Sequence, residues 1–107
     1  MLSLKDGVKI AGICPELLVA VVAAERVYEK AGFDCTITSC TDGQHMAGSL
    51  HYKGAAIDLR TKNVPHAAEL KQIVDRLKQC LGADFDVVVE TDHLHIEFDP
   101  KHGVTNG

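Results

Sequence analysis

A chain of 107 residues with a formal net charge of −4 has room for one domain and a modest core, and none for a second binding module. The acidic balance and the lack of any Lys/Arg cluster exclude a sequence-independent grip on phosphate backbones, so nucleic acid is not an expected partner. Residues 1–12 show neither the basic start and apolar run of a signal peptide nor a stretch long enough to cross a bilayer. The expectation is a protein made in the cytoplasm, without membrane insertion, and a monomer.

The start of the chain is expected as a short extended edge. Pro15 then opens a segment in which Leu17, Leu18, Val21, Val22, Ala24 and Val27 recur at helical intervals, and Gly32 is placed to end it. From Phe33 to Ser39, residues Cys35, Ile37 and Ser39 alternate with Asp34, Thr36 and Thr38, which predicts a strand. Residues 40–50 turn polar and glycine-bearing, the composition of a loop that leads directly into His51. Beyond that segment, Pro65 starts a second helix with Ala68, Leu70, Ile73, Val74, Leu77 and Leu81 on its apolar side, and Gly82 stops it. Two strands are expected next, Phe85 to Glu90 and His93 to Phe98, and the polar tail after Pro100 is expected to fray. This order predicts an α+β fold, a small antiparallel sheet with two helices packed on it, as a single domain over residues 1–107.

Cys14, Cys35, Cys40 and Cys80 contain no CxxC pair, and free, mostly buried thiols are expected. Cys40 is the one nearest the candidate site, because it comes directly after the strand that leads there.

The segment Ser49-Leu50-His51-Tyr52-Lys53-Gly54-Ala55-Ala56-Ile57-Asp58 is answered by Asp92-His93-Leu94-His95. Imidazole and carboxylate suit zinc, and a catalytic zinc takes three protein ligands with the fourth position left to water, which His51, Asp58 and His95 would supply. On a helix, positions seven apart would stand about 10 Å from each other along the axis. In extended chain they would be separated by more than about 20 Å. The backbone must therefore bend between His51 and Asp58, and Gly54 is the residue that permits a bend or a close approach. Past the bend, Ala56, Asp58 and Arg60 share one face of a strand, with Ile57 and Leu59 on the other. His93, His95 and Glu97 likewise alternate with Leu94, Ile96 and Phe98. If Thr91 and Asp92 form a tight hairpin, Glu90 lies across from His93 and points at the metal. If the turn is longer, Asp92 swings toward it instead.

These residues resemble the zinc peptidases of the D-Ala-D-Ala carboxypeptidase and phage endolysin group (peptidase family M15), whose fold is shared with the hedgehog signalling domain. The signature S-x-H-x-x-G-x-A-x-D is filled by Ser49, His51, Gly54, Ala56 and Asp58, and a later H-x-H by His93 and His95. The likeness extends from about Thr38 to Pro100. It implies a zinc held by His51, Asp58 and His95, with His93 nearby to steady the transition state. It also implies an acidic general base, for which Glu90 and Asp92 both stand. Many relatives carry an Arg in the loop before the first ligand to hold a substrate carboxylate, whereas this loop reads Thr41-Asp42-Gly43-Gln44-His45. Substrate contacts would then fall to Arg60, Gln44 and Ser49, although Arg60 fits a structural salt bridge or a solvated side chain as well. His45, His66 and His102 are read as surface residues.

The resemblance implies a zinc metallopeptidase acting on the short peptides of bacterial peptidoglycan, as a D-Ala-D-Ala carboxypeptidase or an L-Ala-D-Glu endopeptidase. Such a phage or prophage product would reach the cell wall by holin-mediated or virion-mediated delivery. Two alternatives stand beside it: a non-catalytic zinc domain of hedgehog type with a protein partner, and a metal-dependent enzyme acting on some other dipeptide or amide.

Overall fold

The computed structural model describes residues 1–42 and 49–100. The elements in chain order are β1 (Leu2–Leu4), α1 (Pro15–Ala31), β2 (Cys35–Ser39), β3 (Ala56–Arg60), α2 (Ala67–Leu81), β4 (Phe85–Val89) and β5 (His93–Phe98). The strands form one sheet in the order β1-β2-β3-β5-β4. The fold is α+β, two helices on a five-stranded sheet, and the sheet is mixed rather than wholly antiparallel. β1 runs parallel to β2, with Leu2 opposite Cys35, while the remaining pairs are antiparallel. The cause is α1: a helical crossover between neighbouring strands returns the chain in its original direction.

Pro15 lies in the first turn of α1, and Gly32 closes the helix in the left-handed region at φ 91°, its N–H donating to the carbonyl of Glu29. The helix is where the sequence predicts it, but its buried stripe is rotated. Leu17, Ala20, Ala24, Val27 and Tyr28 are buried, whereas Leu18 and Val22, expected in the core, are 52 % and 54 % exposed. The small side chains of Ala20 and Ala24 let the helix lie close to its neighbours, so the seam runs along them rather than along the larger aliphatics. In α2 the core residues are Ile73, Val74 and Leu77, with Ala68 exposed. That helix starts two residues after Pro65, because His66 keeps an extended backbone at φ −108°, ψ 130°.

Strand β3 is the middle strand of the sheet and β5 lies beside it, in register from Ala56 opposite Glu97 to Arg60 opposite His93. Ile57, Leu59, Leu94 and Ile96 project from them into the cluster formed with the two helices, and all four are fully buried. Each such side chain contributes about 1.5–3 kcal/mol on leaving water. The alternate residues Asp58, Arg60, His93, His95 and Glu97 project from the opposite face. All four cysteines are free. Cys35 and Cys40 are buried, Cys14 is half-buried, and Cys80, contrary to the general expectation of burial, is exposed. Burial pushes the thiol of Cys35 up to about 12 and that of Cys40 up to about 11, so both stay protonated at neutral pH. Among the described residues, no helix is long and apolar enough to cross a membrane.

Candidate metal centre

The first candidate ligand, His51, sits on a tight turn built by its neighbours. Ser49 Oγ accepts the backbone N–H of His51 at 3.2 Å. The backbone N–H groups of Tyr52, Lys53 and Gly54 donate in succession to the carbonyls of Ser49, Leu50 and His51. Gly54 then reverses the chain at φ 70°, and a Cβ there would stand 2.0 Å from the carbonyl oxygen of Gly12. Both properties expected of this glycine, the bend and the close approach, are therefore present. The Gly54 carbonyl accepts the N–H of Cys14 at 2.9 Å, which ties the turn to the start of α1. Immediately afterwards the chain enters β3, and Asp58 arrives on the open face.

A second anchor comes from β2. Between Ile37 and Ser39 the register against β3 slips, so that Ile37 faces Leu59 and Ser39 faces Asp58. Such a bulge bends a strand and re-aims the residues beyond it. Just past this one is Cys40, whose carbonyl accepts the Nδ1–H of His51 at 2.8 Å. Asp42 Oδ1 in turn accepts the backbone N–H groups of Cys40 and Lys9, at 2.9 and 3.0 Å, and pins the segment to the loop after β1. Cys40 is thus close to the site, as expected, but through its backbone. Its thiol belongs to the core.

The result is a convergence on one carboxylate oxygen. Asp58 Oδ1 lies 3.2 Å from His51 Nε2, 2.9 Å from His95 Nδ1 and 3.7 Å from His93 Nε2. One ligand atom from each of His51, Asp58 and His95 falls within 4.8 Å of the others. The sequence-predicted triad is therefore brought together. Its donor set fits a zinc ion: with bonds of about 2.0–2.1 Å, two ligands on a tetrahedral ion stand roughly 3.3 Å apart. Both imidazoles also have their second ring nitrogen committed elsewhere, His51 Nδ1 to the Cys40 carbonyl and His95 Nε2 to Glu97 Oε1 at 2.9 Å. His51 Nε2 and His95 Nδ1 are thereby the nitrogens that face the centre.

The electrostatics reflect this crowding. Burial acts to raise the Asp58 carboxyl, but hydrogen bonds from His51 and His95, with the charge of the neighbouring imidazoles, outweigh it and hold the group well below the usual carboxylate range. The hydrogen bond to Asp58 lifts His95 above the ordinary imidazole value against the effect of burial, and Glu97 adds to the lift.

The two candidate acids stand in different surroundings. The backbone N–H of Glu90 donates to the His93 carbonyl at 2.8 Å, so Thr91 and Asp92 do form a two-residue turn. No non-glycine residue among those described has a positive φ, so the turn closes without the left-handed backbone that Thr-Asp resists. Glu90 lies across from His93 as expected, yet among the described residues its carboxylate contacts no partner. Asp92 Oδ1 instead accepts the Nδ1–H of His93 at 2.7 Å, and that bond draws the Asp92 carboxyl below its ordinary value. The side chain of Asp92 is otherwise 86 % exposed.

Of the expected substrate contacts, Ser49 uses its hydroxyl within the turn. Arg60 stands opposite His93 on the open face, with its carbonyl accepting the Tyr28 hydroxyl at 3.0 Å. Gln44, together with His45 and His102, lies outside the described residues. His66 is exposed, at the start of α2. The contribution of the Cys40 carbonyl is invisible in the sequence because a backbone acceptor leaves no residue-type signal. Glu97 leaves one, its place two residues beyond His95 on the same strand face. No family model, curated protein or solved structure matches the chain.

Proposed function

We propose that the protein is a zinc-dependent peptidase that hydrolyses peptide bonds in bacterial peptidoglycan stem peptides. The observation that carries this reading is the convergence of His51 Nε2, Asp58 Oδ1 and His95 Nδ1 beside a partly exposed His93 that is itself held by Asp92. A zinc-ligand triad with a further imidazole beside it, backed by an acid, suits hydrolysis, whereas a purely structural zinc usually has four protein ligands and no use for a base. Peptidoglycan as the substrate is supported by the resemblance of the Ser49–Asp58 and His93–His95 segments.

His51, Asp58 and His95 would hold the ion, which supplies Lewis acidity and lowers the pKa of water from near 16 toward roughly 7. Asp92, kept ionised by its hydrogen bond from His93, takes the proton of the attacking water on its solvent-facing oxygen and returns it to the leaving amine. His93, oriented through its Nδ1–H by that same carboxylate, turns Nε2 toward Asp58 and, when it also carries a proton there, donates that N–H to the oxyanion that develops on the substrate. Glu90 serves the turn rather than the chemistry. Arg60, on the same face and beside His93, is the cation placed to meet a substrate carboxylate.

Incubation of zinc-loaded protein with purified peptidoglycan, with mass spectrometry of the products, should reveal new amino and carboxyl ends. Stoichiometric zinc without cleavage would turn the reading to a non-catalytic, hedgehog-like zinc domain.

A further inference from the structure

We propose that Glu97 is a positioning residue for the metal: its carboxylate fixes His95 in the Nε2–H form, so that His95 binds through Nδ1. The inference rests on the zinc reading above and adds a residue to it. Three observations carry it. Glu97 Oε1 lies 2.9 Å from His95 Nε2, and among the described residues this is the partner the carboxylate has. Across β3 stands Ala56, fully buried and with no side chain beyond a methyl group, so the register leaves Glu97 free to lean along its own strand toward His95. The other acids close to it, Asp86 and Asp99, bring a carboxylate oxygen within 4.8 Å, and like charges favour turning the Glu97 carboxylate toward the imidazole.

The two candidate imidazole ligands are consequently held in different ways. His51 leans on a neutral backbone carbonyl and presents Nε2, while His95 leans on a carboxylate and presents Nδ1. A carboxylate partner both orients a ligand imidazole and makes it a better electron donor, and losing such a partner weakens metal binding by about 10–100-fold. Glu97→Ala should therefore raise the zinc dissociation constant by about that factor in competition with a chromophoric chelator. Glu97→Gln keeps an amide oxygen able to accept the Nε2–H, so it should lose less than about 10-fold and retain the same ring form.

Long-range proton–nitrogen NMR of the zinc-loaded wild-type protein reads the ring form without any substitution. It should show His95 protonated at Nε2 and metal-bound at Nδ1. A His95 bound through Nε2 overturns the inference even if Glu97→Ala fails to fold. So does a folded Glu97→Ala protein that holds zinc within about twofold of wild type, against the 10–100-fold expected. Failure of the wild-type protein to take up zinc at all is a different result, and it overturns the metal reading itself.

Discussion

The two faces of the central strand pair are built from alternate residues of the same backbone, yet different forces hold them. On the covered face, Ile57, Leu59, Leu94 and Ile96 are fully buried beneath the helices and contribute through removal of apolar surface from water. On the open face, Asp58, His93, His95 and Glu97 hold one another through hydrogen bonds and charge. The covered face sets where the strands lie, and the open face inherits that precision without adding much to it. A site mounted on β3 and β5 is positioned by strands that are each paired on both sides. Of the three candidate metal ligands only His51, on its turn, depends on loop geometry, and there the Gly54 contact, the β2 bulge and the Asp42 tether supply the constraint.

Substitutions that point to opposite faces should accordingly separate function from stability. The largest effect is expected from Asp92→Ala, which should lower turnover of peptidoglycan peptides by about 10²–10⁴-fold while zinc content and thermal midpoint stay near wild type. Glu90→Ala, at the other end of the same turn, should leave turnover nearly unchanged, and equal losses from both would break the assignment of Asp92. On the covered face, Leu94→Ala lies between two histidines in sequence but removes core. Denaturant unfolding should show a loss of about 2–5 kcal/mol, with the folded fraction still taking up one zinc. Gly54→Ala tests the turn. Its left-handed backbone alone should cost about 1–2 kcal/mol, and the contact with Gly12 adds to that. Unlike Leu94→Ala, it should also weaken zinc binding, because it moves His51.

The smallest expected effect is the pH dependence of the metal-free protein. Asp58 is held below its unfolded value, so its contribution is present above about pH 3.9 and fades as pH falls through the lower folded value. His95 is raised, so its contribution is complete below about pH 6.5 and is lost as pH rises through the folded value. Metal-free protein should be most stable between these limits. Zinc, which displaces the proton facing Asp58, should extend that stability upward in pH. A metal-free stability that keeps rising above neutrality would contradict the Asp58–His95 pairing.

Most of the site is legible in the sequence because strand alternation is strict. Once His93–Phe98 and Ala56–Arg60 are read as strands, the two-residue period puts Asp58, His95 and Glu97 on one face, and the glycine between His51 and Asp58 marks the bend. The features that stay hidden depend on backbone or on contacts distant in sequence. The Cys40 carbonyl that orients His51 has no side-chain signature. The bulge in β2 matches no pattern in Cys35–Ser39. The buried stripe of α1 departs from the aliphatic periodicity because Ala20, which is buried, counts little on a hydrophobic scale, while the larger Leu18 and Val22 face outward. The parallel pairing of β1 rests on three residues, too few to show a period. Hairpin length is not the guide to the acid that it promises to be: the turn is two residues long, yet the carboxylate that meets His93 is that of Asp92, in the turn itself, and not that of Glu90 across the ladder.

The central claim is that His51, Asp58 and His95 share one zinc ion, and calorimetric titration of metal-free protein with zinc tests it most directly. One equivalent should bind to the wild-type protein, and His51→Ala, Asp58→Ala and His95→Ala should each lose more affinity than the roughly 10–100-fold expected for an outer partner. Absence of binding, or binding that survives all three substitutions, would contradict the account.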